Sequence, residues 1–253
     1  MDEAFAALDR ARANVERNIQ NAEELFHSKL EGVFSGNNNS EGSHKSLKDV
    51  CFYDKETNDK TGLPYVGLAD IESDTGKFLG ELKPKEMKSR TFYFNQSHLL
   101  YGRLRPYLNK ILLPNFEGHC STEISPIETI NKIIKAYLFY WFLKPSTVKK
   151  INKTTTGTRM PRANMDEVLN FDIIVPCIEE QKQIVSLLIE FKENTELQIQ
   201  NYKRQLSLLE ELKKSILQEA FSRQLTGAES AGLEDAQDKA DNKAAEPEEE
   251  YET

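Results

Sequence analysis

Two blocks of this sequence set arginines beside glycine, hydroxyls and aromatic rings, a combination suited to holding a polyanion. The first is Tyr101-Gly102-Arg103-Leu104-Arg105-Pro106-Tyr107-Leu108-Asn109-Lys110. Residues two apart in a strand face the same side, so Arg103 and Arg105 are expected to project together. A planar guanidinium donates two bonds to guanine O6 and N7, or clamps a phosphate. Surface ion pairs with nearby carboxylates are the competing reading of the same arginines. The second block is Thr154-Thr155-Thr156-Gly157-Thr158-Arg159-Met160-Pro161-Arg162, expected to be a loop. Its hydroxyls and backbone amides suit phosphates, and its arginines suit bases or phosphates. A plain polar connection is the alternative. Lys149, Lys150 and Lys153 just before it add positive charge, although a lysine run is usually a solvated helix face.

No other chemistry is written as plainly. The chain has no GxxxxGK[ST] phosphate loop, no GxGxxG, no HExxH, no GxSxG elbow and no Asn-Pro-Pro-aromatic or Asp-Pro-Pro-aromatic motif. A self-contained nucleotide-dependent or hydrolytic enzyme is therefore not expected. Cys51, Cys120 and Cys177 lie far apart without a CxxC pair, so they are read as buried thiols rather than as a disulfide or zinc framework. His119 and Cys120 offer two metal ligands, but no second pair follows at ligand spacing. A satisfied or surface histidine is the expectation.

Charge is unevenly distributed. The 253 residues carry a net charge of -8. Thr226 to Thr253 holds ten acids against Lys239 and Lys243, which accounts for all of it and leaves residues 1–225 neutral. Between His44 and Asp172 there are 20 Lys and Arg against 15 Asp and Glu, so the middle of the chain is +5 and is where phosphate would be attracted. No run of about 18 apolar residues suggests a membrane span, and Asp2, Glu3 and Asp9 are unlike a signal peptide. A cytoplasmic location is expected.

The elements that would position the two blocks are legible from periodicity. Phe5, Leu8, Arg12, Val15, Ile19, Ala22, Phe26, Lys29 and Val33 form a heptad seam on one long helix, ending at the polar linker Ser35-Gly36-Asn37-Asn38-Asn39-Ser40. A second seam follows Pro176: Ile184, Leu188, Phe191 and Thr195, then Ile199, Tyr202, Leu206, Leu209, Lys213, Ile216 and Ala220, with a stutter between Thr195 and Ile199. Displaced by 187 positions, the two helices match at 10 of 34 residues, including Leu30 with Leu217 and Phe34-Ser35 with Phe221-Ser222. We read this as a repeat: a globular segment between two copies of one helix, half of a two-fold arrangement. Between them, strands are expected at Leu63 to Val66, Thr91 to Phe94, His98 to Leu104, Lys110 to Leu113, Glu123 to Ile127 and Phe171 to Val175. A helix is expected over Asn131 to Leu143, stopped before Pro145, and Asn164-Met165-Asp166-Glu167 reads as the capping box of a short one.

These features together resemble the specificity subunits of bacterial type I restriction-modification enzymes. Leu100 to Lys110 is similar to a motif of their target-recognition domains, and Thr156-Gly157-Thr158-Arg159 to the Gly-Thr/Ser-rich loop near the domain's end. Val175-Pro176-Cys177-Ile178-Glu179-Glu180-Gln181-Lys182-Gln183-Ile184 resembles the segment entering the conserved helix, with Cys177 where a second proline is common. Asp2 to Ala6 and Asn21 to Phe26 resemble the latter part of that helix.

The resemblance implies an α+β fold, a small mixed α/β target-recognition domain between two long coiled-coil-forming helices. The expected segments are a helix at 1–35, the recognition domain at 36–176, a long spacer helix at 177–225 and an acidic disordered tail at 226–253. It implies a non-catalytic subunit that binds double-stranded DNA through Tyr101, Arg103, Arg105, Lys110, Thr156, Gly157, Thr158, Arg159 and Arg162. It holds no cofactor or metal; S-adenosylmethionine belongs to a partner modification subunit that methylates adenine. A restriction subunit is a possible further partner. Family members usually carry two recognition domains, and this chain has one, so pairing of two copies through their helices and a bipartite target are expected. A coiled-coil scaffold and a solitary DNA-binding repressor are the alternatives.

Overall fold

The computed structural model describes residues 2–35, 42–130 and 133–243, with nothing said of side chains at 2 and 222–243. The fold is α+β. It divides into two compact units: residues 22–196, and residues 1–21 with 197–253.

Helix α1 (Asp2–Phe34) and helix α5 (Ile178–Lys243) each contribute to both units. In the second unit, Lys213 Nζ meets Asp9 at 2.8 Å and Arg12 Nη1 meets Glu210 at 3.6 Å, so the two helices run antiparallel there. The α5 seam lies where its periodicity puts it, with Ile199, Tyr202, Leu206, Leu209, Lys213, Ile216 and Ala220 all partly covered. The α1 seam differs from the expectation at two polar positions. Arg12 and Lys29 are exposed, and Leu30 and Phe34 are buried beside the seam, because the apolar residues closest to those steps turn inward instead. Helix α5 also continues to Lys243 through residues expected to be disordered; this stretch is rich in Ala, Leu, Glu, Gln and Lys, which favour helix. Residues 244–253 of the expected tail and most of the 35–40 linker lie outside the described residues.

The larger unit holds three sheets. Strands β1 (Ser43–Ser46) and β9 (Asp172–Val175) pair antiparallel. Strands β2 (Cys51–Tyr53), β8 (Ile124–Thr129), β5 (His98–Gly102) and β6 (Ile111–Leu112) form a four-stranded antiparallel sheet in the order β2-β8-β5-β6. Strands β3 (Tyr65–Val66), β7 (Gly118–Ser121) and β4 (Thr91–Phe94) form the third, with β3 and β7 parallel. Strands β1, β2 and β7 were not expected, since SHKS, CFY and GHCS lack a run of β-branched residues or clear alternation.

Helix α2 (Lys135–Leu143) buries seven consecutive residues from Tyr137 to Leu143. A helix apolar all round needs cover on every side. Phe26, Leu30 and Phe34 of α1 and Leu188 of α5 share its core, with Phe34 and Tyr137 rings 5.0 Å apart. The recognition domain expected at 36–176 therefore takes its core partly from the helices that flank it. Gln181, fully buried, fixes one of those joints: its Oε1 accepts the Ile134 N–H at 2.8 Å ahead of α2, and its Nε2 donates to Pro176 O at 2.9 Å. Pro145 ends nothing further; it opens α3 (Pro145–Lys153), whose N-terminal Ser146 N–H and hydroxyl both donate to Glu31. The short helix α4 (Met165–Val168) starts with half of the expected capping box: the Asn164 side chain accepts the Glu167 N–H at 3.4 Å, but the Asn164 N–H donates to the Thr154 hydroxyl instead of to Glu167.

Candidate nucleic-acid interface

Strand β5 is buried along its whole length and carries the first basic block to the end of its sheet. Gly102 is its last residue, where a Cβ would stand 2.7 Å from Leu68 Cδ2 and crowd the backbone of Lys110. The chain then leaves the strand. Arg103 N–H donates to Glu123 O at 2.9 Å, Leu104 bridges to Arg162, and Arg105 takes a left-handed conformation with φ 52° while its N–H donates to Pro161 O at 2.8 Å. The expectation that Arg103 and Arg105 share one strand face is thus corrected: the strand has ended before either. The Arg105 side chain is exposed, with no ion pair among the described residues.

The second block closes into a hairpin. Thr156 and Arg162 exchange both backbone bonds at 3.0 Å, Gly157 turns the chain with φ +86°, and Thr156 to Met160 are exposed. Below it, the Thr154 hydroxyl donates to Ile151 O at 2.9 Å and accepts the Asn164 N–H at 3.1 Å, anchoring the hairpin to α3 and α4. The backbone bonds Arg105 to Pro161 and Ala163 to Arg103, both under 3 Å, bring the two blocks, more than fifty positions apart, side by side.

Glu123, on the turn between β7 and β8, ties them together. Arg162 Nε donates to both carboxylate oxygens at 3.0 Å and its Nη2 donates to Oε1 at 2.7 Å. Arg103 Nε stands 3.4 Å from Oε2 without hydrogen-bond geometry, so the carboxylate serves Arg162 first. The hydrogen bonds from Arg162 hold Glu123 below the usual carboxylate range and raise the Arg162 guanidinium. The ion-pair reading of Arg103 and Arg105 therefore holds for Arg103 and not for Arg105; Arg162, for which no ion pair was expected, is paired as well, which leaves Arg105 and Arg159 as the unpaired guanidiniums of the two blocks among the described residues.

One expected contact residue is corrected. Tyr101 is fully buried with its ring 5.0 Å from Phe142; it packs the core and faces no ligand. Lys110 is half-buried and donates through Nζ to Ile71 O at 2.6 Å, so it braces the adjoining loop. Other residues join the surface that sequence reasoning missed. Lys55, Arg90, Phe92, Arg103, Thr122 and Ser125 line an open cleft of about 270 Å³. Lys55 and Arg90 stand in mixed-charge stretches and carry no local signal; only folding brings them to Arg103.

Among the described residues one further polar cluster brings metal-ligand types together. Asp54, His98 and Glu128 place ligand atoms within 4.8 Å of one another. His98 Nδ1 lies 3.1 Å from both the N–H and the Oδ1 of Asn95, and its Nε2 lies 3.4 Å from Asp54 Oδ2. His119 is satisfied as expected, by Thr91 Oγ1 at 3.1 Å and Lys85 O at 2.8 Å. Cys51 and Cys120 are buried, and burial pushes the Cys51 thiol up to about 12, whereas Cys177 is exposed beside α5, contrary to expectation.

Comparison with known proteins places this arrangement. The specificity subunit of the type I restriction enzyme EcoDI from Escherichia coli is 28% identical over 185 residues, 71% of this chain and 40% of that protein. A chain solved in work on the assembly and conformational transition of the type I R-M system superposes with a TM-score of 0.70 at 17% identity, covering 87% of this chain and 56% of that one. The HsdS subunit from Thermoanaerobacter tengcongensis gives 0.56 at 18% identity, with the same coverage. The chain thus spans 40% of the E. coli relative and just over half of the solved chains, whose likeness shows the fold. Residues 39–206, two-thirds of the sequence and containing both basic blocks, match the family model described as the type I restriction modification DNA specificity domain, and the chain belongs to that family.

Proposed function

We propose that this chain reads a DNA sequence for a type I restriction-modification complex and leaves catalysis to its partners. The observation that carries this reading is the convergence of the Arg103–Arg105 segment and the Thr156–Arg162 hairpin on one exposed surface within the family-matched region. Arg159 and Arg105 are the side chains offered to bases or phosphates; Arg103 and Arg162, held by Glu123, orient the hairpin and add phosphate contacts. A partner modification subunit binds S-adenosylmethionine, flips the target adenine and methylates it, and a restriction subunit cleaves unmodified DNA. The site of action is the cytoplasm; among the described residues no helix is long and apolar enough to cross a membrane.

Two copies of the chain supply the two recognition domains of a bipartite target. The helix repeat supports this. Leu30 and Phe34 are buried in α1, yet their counterparts Leu217 and Phe221 in α5 are 39% and 64% exposed. Leu197, Leu208 and Leu212 are exposed as well, after the α5 seam has been used. Leu217 and Phe221 flank the covered α5 seam on one side and Leu197, Leu208 and Leu212 on the other; exposed apolar residues of this kind on a helix mark an association site, and a two-fold pair of identical domains reads an inverted, interrupted repeat.

Selection of random duplexes by the chain, alone and with a cognate modification subunit, tests the reading. A two-part enriched motif is expected, and Arg159→Ala and Arg105→Ala weaken its binding without shifting the thermal midpoint. Recovery of no motif by a folded, assembled complex rules out sequence recognition.

A further inference from the structure

We propose that the cleft lined by Lys55, Arg90 and Arg103 is a seat for a backbone phosphate of duplex DNA, separate in role from the hairpin. The inference rests on the DNA-reading function above and divides its labour: the cleft supplies sequence-independent affinity, and the Thr156–Arg162 hairpin supplies discrimination.

Three cations reach the cleft from three parts of the fold. Lys55 follows β2, Arg90 precedes β4 and Arg103 follows β5. Lys55 is exposed and has no ion pair among the described residues. Arg90 is oriented by neutral groups only: its Nε donates to Thr57 Oγ1 at 3.1 Å, and its guanidinium lies over the Phe92 ring, 5.6 Å from the centroid. That leaves its outer N–H groups available while stacking fixes the plane. Arg103 is the less favoured partner of Glu123, and its buried Nε lacks a hydrogen bond. One carboxylate, already bonded by Arg162, is therefore the only acid paired with any of these three cations among the described residues. Thr122 and Ser125 add two hydroxyls with no partner there.

An anion with several acceptor oxygens satisfies this set: guanidinium and ammonium groups for charge, hydroxyls for the remaining lone pairs. The cleft is open, its lining is polar and apolar in about equal measure, and its volume is about 270 Å³. That admits a phosphodiester with its waters on an exposed strand of DNA, whereas a small metabolite would lie largely uncovered. Arg103 also pairs through its backbone with Ala163, so a phosphate seated here lies beside the hairpin that reads the bases.

The test is the salt dependence of binding to the selected duplex and to a scrambled one, for the wild-type complex, Lys55→Gln, and Lys55→Gln/Arg90→Gln. Each phosphate contact adds about 0.9 to the slope of log K against log salt. The double variant is expected to lose up to about 0.9 from that slope, the share of one phosphate, so a fourfold rise in salt weakens it about 3.5-fold less than wild type. Selected and scrambled duplexes lose affinity alike. Lys55 is exposed and unpaired among the described residues, so the single variant keeps the fold and loses a part of that ~0.9. An unchanged slope in the single variant overturns the proposal, as does a loss confined to the selected duplex, which would make the cleft a base reader. Millimolar inorganic phosphate that binds wild type but leaves the DNA slopes of all three proteins equal shows a free-anion site instead. Failure of the wild-type complex to bind DNA with salt dependence overturns the DNA-reading function itself; failure of the variants alone leaves that function standing.

Discussion

Replacing Glu123 with alanine removes the single carboxylate that holds Arg162 through three bonds of 2.7 to 3.0 Å and neighbours Arg103 at 3.4 Å. Side-chain exposure of 22% for Glu123 and 39% for Arg162 puts the pair between two limits. Hydrogen bonds to charged groups contribute roughly 1.5–3 kcal/mol, and fully exposed ion pairs roughly 0.2–1 kcal/mol. We expect a coupling clearly above the roughly 0.3–0.5 kcal/mol scatter of additive pairs in the Glu123→Ala by Arg162→Ala cycle, which isolates the pair from the separate effects of each truncation. Urea unfolding followed through Trp141 suits the measurement, because this is the only tryptophan and it sits in the core of the larger unit. Glu123→Ala alone is also expected to raise affinity for scrambled DNA, since it frees two guanidiniums, and to blur discrimination, since the hairpin loses its tie. A coupling below about 0.3 kcal/mol, the scatter of additive pairs, would refute the clamp.

Leu30→Ala removes a fully buried side chain of α1 from the core it shares with α2, and is expected to destabilise the larger unit by about 2–5 kcal/mol in the same urea assay. A loss under about 1 kcal/mol would place that turn of α1 outside the core. Because the Glu123 carboxyl is held below its unfolded value, its contribution is complete above the ordinary carboxylate range and disappears as pH falls through the lower folded value. The stability difference between wild type and Glu123→Gln should accordingly be constant at neutral pH and close in acid; a difference that instead closes toward alkaline pH would be incompatible with that sign. Charged substitutions Leu217→Glu and Phe221→Glu, four residues apart on one exposed side of α5, should shift the chain toward the monomer in sedimentation velocity, and an unchanged distribution would exclude that side from pairing.

Much of this was legible because it rests on periodicity. The α5 seam, strand β4 and the Asn164 cap follow from local spacing, and the structure shows them where the spacing puts them. Strands β1, β2 and β7 were not, since short segments such as SHKS take their conformation from the strand they pair with. The site divides along the same line. Both basic blocks are visible as composition, but their meeting depends on backbone pairing between Arg105 and Pro161, and the role of Glu123 on a nonlocal turn. Burial decided the one residue misassigned: Tyr101 lies in a strand covered on both faces. Lys55 and Arg90 are ordinary surface cations in one dimension and become cleft residues only in three.

The central claim is that this chain selects the DNA sequence on which a partner acts. Its most direct measurement is co-expression with a cognate type I modification subunit, followed by mapping of methylated adenines across the host DNA. A single two-part motif, inverted and interrupted, lost when the chain is omitted and relaxed by Arg159→Ala, is the predicted result. Absence of methylation from a folded, assembled complex, or methylation at sites indifferent to this chain, would contradict it.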